Sequence, residues 1–386
     1  MTAQPPPFRW RSIALPVLLP TILFSIGEGA LLPVIPLVAD DLGATLAVAG
    51  VVAGALTVGE LIGNIPSGPI IARVGERPAM IGGSILSIAG LVLCLLAGHP
   101  AVLGAGVFLI GLATAVFGLA RHAFLTSFVP RAYRARALST LGGTFRFGFF
   151  VGPFITAVLL HLVGTPAIAF WVHVVACAGA ALILLVLPDP ERTFGQVRGG
   201  RALVERETHG LFPTIRRNRG VLVRLGSGAA LIGGLRASRQ VILPLWAVSV
   251  GVDEVTTAVV IGIAGGVDFA LFYTSGAIMD RWGRLWSALP SMIGLGAGHL
   301  VLAFTHDLGS ATTWFVAAAL LLAVANGLGS GILMTLGADL ADPSDPAPFL
   351  GAWRFTGGIG TASAPLLLSG VTAVAGLAAG AGVLGV

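Results

Sequence analysis

Apolar runs of about 20 residues, each long enough to cross about 30 Å of hydrocarbon as a helix, recur along the chain between short polar turns. Their centres lie near Phe24, Ala55, Leu86, Ala115, Phe150, Cys177, Ala230, Ala264, Gly294, Leu320, Gly360 and Ala378. None shows the alternation of apolar and polar positions that a barrel strand needs, and within lipid only helices or closed barrels satisfy the backbone. The pattern therefore predicts an all-α membrane protein with twelve transmembrane helices. The first run follows Arg9 and Arg11 but continues to Val38, too long for the apolar core of a signal peptide, so it reads as a retained helix. The last run holds only 16 residues, Val371 to Val386, or about 24 Å of helix, so the final span is expected either to be short and little tilted or to be truncated at the C-terminus.

Charge placement adds the orientation. All 22 basic residues are Arg, so every basic charge is permanent and proton carriers must be sought among carboxylates and histidines. Sixteen lie in the N-terminal tail or in alternate turns: Arg9 and Arg11; Arg73 and Arg77; Arg131, Arg134 and Arg136; seven between Arg192 and Arg219; Arg281 and Arg284. The intervening turns, near Asp40, His99, Thr165, Asp253 and His306, carry none. Because positive loops stay cytoplasmic, the N-terminus and every even-to-odd turn are expected inside, in a cell's cytoplasmic (inner) membrane. The turn with Asp339, Asp342 and Asp345 is acidic, and carboxylates weigh little in that rule. A chain that is 56% hydrophobic and 10% charged cannot build a soluble surface, and its basic excess suits anionic lipid rather than nucleic acid.

Pro188 to Arg219 is the one long polar stretch and divides the spans six and six. The expected domains are an amino-terminal half, 1–187, a cytoplasmic linker, 188–219, and a carboxyl-terminal half, 220–386. A constant offset of 208 residues superposes Pro36 on Pro244, Gly54 on Gly262, Arg73 on Arg281, Gly75 on Gly283, Glu60 on Asp268 and Arg146 on Arg354. Glycine matches are cheap in a Gly-rich chain, but paired arginine and carboxylate matches at one offset are not. Two pseudo-symmetric six-helix bundles, the repeat architecture of secondary transporters, follow.

The string Gly276-Ala277-Ile278-Met279-Asp280-Arg281-Trp282-Gly283-Arg284 resembles the GxxxDRxGR signature of the major facilitator superfamily. Its first copy supplies Gly68, Arg73, Gly75 and Arg77, with Ala72 where the family has Asp. The resemblance implies a cytoplasmic gate at both turns, weaker at the first. Gly148, Gly152 and Pro153 look like the core of the family's antiporter motif, although GxxxG alone also serves close helix packing. In the fourth span Val107 and Ile110 stand where the drug exporters' RxxQG motif has Arg and Gln. The first helix, from Gly27 through Pro36, is similar to that of drug-exporter branches, with Pro33, Pro36 and Pro244 as candidate kinks.

Glu28, Glu60, Asp268, Arg146, Arg236, Arg239 and Arg354 fall inside apolar spans. Seven unpaired charges at about 2.5 to 3.5 kcal/mol each would cost roughly 20 kcal/mol, more than the 5 to 15 kcal/mol that typically holds a domain together. They must be paired or face water, so an internal polar cavity is expected. Arg236, Arg239 and Gln240 share one face of the seventh helix, and Glu28 superposes on Arg236 at the repeat offset. In the family the first and seventh helices line the cavity, which places Glu28 as proton carrier and substrate contact opposite Arg236, Arg239 and Gln240 as substrate anchors. Asp268 is the second candidate for proton coupling. A fixed salt bridge joining the halves is the competing structural reading. Family architecture also pairs the second helix with the eleventh and the fifth with the eighth, which predicts interhalf ion pairs Glu60 with Arg354 and Asp268 with Arg146. Thr57, Glu60 and Asn64, and Asn326 and Ser330, form polar stripes suited to stitching helices. Arg121 and Arg224 are expected to snorkel to the interface, and His161, His173 and His299 to serve packing.

Without Lys there can be no GxxxxGK[ST] phosphate loop, and no HExxH, GxSxG or Cys/His constellation appears in the spans. Cys94 and Cys177 stand alone as small packing residues. ATP-driven pumping, an enzyme, a metal site and a cofactor are therefore not expected. Secondary transport by a monomer leads, with a small-molecule substrate, protons or another coupling ion, and the bilayer as partners. Proton-coupled efflux of a hydrophobic compound comes first on the resemblance; uptake or exchange of an organic anion, and a non-transporting receptor on the same fold, are the alternatives.

Overall fold

The computed structural model describes residues 14–129, 131–187, 211–342 and 347–386, and the regular structure among them is helical. Among the described residues, ten helices are long and apolar enough to cross a membrane, eleven if the bent first pair counts as one span. That first span, Leu15–Leu31 and Ile35–Asp41, bends by 41° where Pro33 and Pro36 interrupt it. Pro244, by contrast, sits within the unbroken helix Ser227–Val250.

The 208-residue repeat reappears as matched helix boundaries. Leu46–Val74 and Glu254–Trp282, the second and eighth spans, each contain 29 residues. At their starts the Thr45 hydroxyl accepts from the Val48 amide and the Asp253 carboxylate from the Thr256 amide, satisfying one orphan donor of each first turn. The Thr256 hydroxyl and amide hold the Asp253 carboxyl below the usual carboxylate range. At their ends Gly75 and Gly283 both have φ 92°, a conformation that side chains strain to adopt. At about 44 Å these helices exceed the hydrocarbon thickness and must tilt.

The remaining spans are Glu76–Leu95, Pro100–Phe128, Arg131–Val163 and Ile168–Val186 in the amino half. Leu285–Thr305, Ala311–Leu328 continued by Ile332–Leu340, and Ala347–Ala375 follow the eighth in the carboxyl half. The start of the last span lies later than the apolar run suggests: residues 371–375 complete the eleventh helix, Gly376 turns the chain at φ 86°, and the helix Leu377–Gly385 follows. Of the expected linker, 188–210 lies outside the described residues, and Leu211–Arg217 forms a short helix against the eleventh span.

The core is distributed unevenly along the bundle axis. At the end carrying Gly43 and Gly251, here the far end, one apolar cluster joins Leu31, Ile35 and Val52 of the amino half to Leu243, Trp246 and Leu368 of the carboxyl half. Toward the end reached by Val186 and Leu211, the linker end, the apolar clusters belong to single halves, such as Phe124 with Leu141 and Leu222 with Trp353. The halves are thus fused at the far end and separately cored at the linker end.

Candidate functional site

Gly148 and Gly152 of the fifth span meet the backbone of the first at Ser25 and Ile26, where any Cβ would collide, and Thr156 donates to the Ala30 carbonyl at 2.9 Å. Gly233 and Gly360 make the corresponding close approaches between the seventh and eleventh spans. Small residues at these crossings let backbones approach, seating the first helix on the fifth and the seventh on the eleventh, and the first and seventh both form walls of the space between the halves. Within the amino-half crossing the antiporter-like motif acts as packing surface.

Between those walls lies a cavity of about 370 Å³. Glu28, Glu60, Arg146, Arg236, Arg239, Gln240 and Asp268 all line it, so seven sequence candidates converge on one space. On the amino-half wall, Glu28 is 4% exposed; one carboxylate oxygen accepts from the Thr114 hydroxyl at 3.3 Å and the other is buried without a partner. The positive charge within electrostatic range of both Glu28 and Glu60 is Arg121, whose guanidinium lies 5.0 Å above the Phe145 ring.

Across the cavity, Arg239 pairs with Asp268 at 3.6 Å. Arg236 donates to the Asn326 side-chain oxygen at 2.8 Å and to the Gly329 carbonyl at 3.3 Å. Arg146 reaches over from the fifth helix, donates to the Ser330 hydroxyl at 2.7 Å and stacks 4.2 Å above the Phe272 ring. The Nε atoms of Arg146 and Arg239 and one Asp268 oxygen are buried without hydrogen-bond partners. Three guanidiniums therefore face one carboxylate, in a setting where unsatisfied charged groups are costly.

Three expectations need correction. Glu60 does not pair with Arg354: its opposite charge is Arg121, while Arg354 lines a separate cleft with Asn64, Leu211 and Phe355. Leu211, Phe212 and Pro213 of the linker helix line that cleft together with Arg354, so equal depth does not bring Glu60 and Arg354 together. Asp268 takes Arg239 of its own half as its ion partner, and Arg146, though within electrostatic range of Asp268, spends its hydrogen bond on Ser330. Arg121 lines the cavity instead of snorkelling. The spacing of Thr114, Gly118 and Arg121, one face of the fourth helix, is the signal that could have found it.

Among the described residues, Arg77 and Arg284 of the gate motifs make bonds within their own halves. Arg77 donates to the carbonyls of Leu184, Leu185 and Leu187, satisfying the end of the sixth span, and Arg284 pairs with Asp339 at 3.0 Å beside the tenth. Arg281 lies over the neighbouring Trp282 ring, Arg73 and Asp280 are exposed, and a Cβ on Gly276 would meet open space. His173 bonds Ser87 at 3.0 Å and His299 bonds Ser238 at 2.8 Å, each inside its half.

At the far end the cavity is closed. Gly50 packs on Ser369 and Leu245, Gly54 on Pro365, and Gly262 on Phe154, all between halves.

A family profile described as Major Facilitator Superfamily matches residues 17–365. The inner membrane transport protein YajR of Escherichia coli (strain K12) is 26% identical over 162 residues, covering 41% of this chain and 35% of that protein. Sugar transporter ERD6-like 7 of Arabidopsis thaliana is 28% identical over 163 residues, 41% of this chain and 33% of that one. The chain thus spans about a third of the length of these relatives. Among solved structures, the human organic anion transporter MFSD10 (TETRAN) superposes with a TM-score of 0.67 at 16% identity, covering 99% of this chain and 97% of that one.

Proposed function

The chain belongs to the Major Facilitator Superfamily, and from that premise we propose that it is a monomeric, proton-coupled secondary transporter that exports a small organic compound by alternating access. The observation that carries this reading is the cavity between the halves that is closed at the far end and lined by buried ionisable groups of both. A cavity built from one chain needs no second copy. Fusion at one end and separate cores at the other make the interface the element able to rock, the motion expected of repeat-built transporters.

The arginine-rich turns support a cytoplasmic linker end in a cell with an inner membrane, which would make the closed far end the outer one. Similarity of the first and fifth helices to drug-exporter branches supports export. The relatives' names point to different solutes, so the substrate must be argued from this cavity's own residues. Glu28 is the residue to hold the coupling proton: its unpartnered oxygen and the neighbouring Glu60 make a second negative charge there expensive, and a proton removes it.

Purified protein in vesicles with a trapped pH dye, challenged with a fractionated small-molecule extract, tests this. Wild type is expected to couple solute movement to proton flux. Glu28→Gln should lose the flux but retain solute exchange. Equal proton flux in the two proteins would remove Glu28 from coupling, and no solute movement with any fraction would overturn transport.

A further inference from the structure

The cavity is layered. One or two turns toward the closed far end from the charged groups lie Leu32, Leu56, Phe149, Leu243, Pro244 and Ile261, which form an apolar roof. Beneath it, the carboxyl-half wall holds two guanidiniums, Arg236 and Arg239, to one carboxylate, Asp268, and Arg146 reaches over to it from the fifth helix; the Nε atoms of Arg146 and Arg239 are buried and unpartnered. Arg236 is fixed by neutral oxygens that orient it without cancelling its charge. The carboxylates across the cavity are already in the field of Arg121.

We propose that the transported solute is an amphipathic organic anion whose carboxylate sits among Arg146, Arg236 and Arg239 while its apolar body fills the roof. This rests on the cavity being the solute site, and it adds the charge and polarity of the solute. Guanidinium forks match carboxylates geometrically, and an anion restores the charge balance that the protein leaves unfilled. About 370 Å³ lies at the small end of ligand pockets and suits a compact solute.

Thermal unfolding of the purified full chain at constant ionic strength supplies the test, with benzoate, 4-phenylbutyrate and octanoate as anionic probes. Benzamide and benzyl alcohol are the neutral controls, benzylammonium the cationic one, and succinate and inorganic phosphate are anions without an apolar body. The expected result is saturable protection by at least one amphipathic carboxylate and none by the neutral or cationic probes. That carboxylate should bind Arg239→Gln at least about tenfold more weakly, as loss of a charged hydrogen bond implies.

Protection by the neutral or cationic probes, by succinate or phosphate alone, by no probe, or equally in Arg239→Gln would overturn the proposal. Comparing probes on wild type keeps it decidable should the variant fail to fold. Proton flux in vesicles separates the two claims. Flux driven by benzylammonium leaves transport standing without the anion, whereas carboxylate protection with no flux from any probe leaves the anion site standing without coupled transport.

Discussion

On the amino-half wall two carboxylates, Glu28 and Glu60, share the guanidinium of Arg121, whereas at the facing wall Arg236 and Arg239, joined by Arg146 reaching over from the fifth helix, surround the carboxylate of Asp268. Both walls descend from one repeated unit, since their second and eighth helices start and stop at matching positions. The repeat therefore preserved the scaffold and let the chemistry diverge: Glu28 of one half is Arg236 in the other. A cavity with one acidic and one basic wall can hold a proton on one side and an anion on the other.

The basic wall should be the more fragile. Asp268→Asn leaves three buried guanidiniums without a carboxylate, and removing one partner of a buried pair costs about 3 to 5 kcal/mol. A fall in Tm of several degrees with loss of transport is expected in a thermal scan; an unchanged Tm would mean that water already balances those arginines.

On the acidic wall, Arg121→Gln should destabilise the protein, and adding Glu60→Gln should recover part of the loss. The coupling expected from a double-mutant cycle on Tm is about 0.5 to 3 kcal/mol. Additive effects would mean that Arg121 does not serve Glu60.

Neutral ties come next. Asn326→Ala frees Arg236 from its 2.8 Å bond, and a loss of about 1.5 kcal/mol should appear as roughly tenfold weaker solute binding, with Tm nearly constant. A Tm loss with unchanged affinity would make the contact structural. The smallest effect belongs to Thr114→Val, which removes a long 3.3 Å bond to Glu28 and should change solute-driven proton flux by less than about tenfold.

Much of this was legible in the sequence, because apolar length, alternating arginine-bearing turns and the fixed repeat offset are properties of position alone. Glu28, Arg236, Arg239, Gln240 and Asp268 could be placed at the cavity since charges inside apolar runs have nowhere else to go. Partner choice could not be read. It depends on the packing around each side chain: Arg354 lines a cleft with the linker helix, while Arg121 is the charge beside Glu60. The start of the terminal helix could not be read because the apolar run continues through Gly376, where backbone geometry rather than polarity ends the eleventh span.

The central claim, that two halves fused at one end exchange openings around this cavity, is tested most directly by spin-label distances in the full chain. One pair, at Val74 and Trp282, reports the linker end, and another, at Leu162 and Val374, reports the far end; all four positions are exposed. During an acid titration the first distance should shorten as the second lengthens, and Glu28→Gln should hold both still. Distances that stay fixed, or that move in the same direction, would contradict the account.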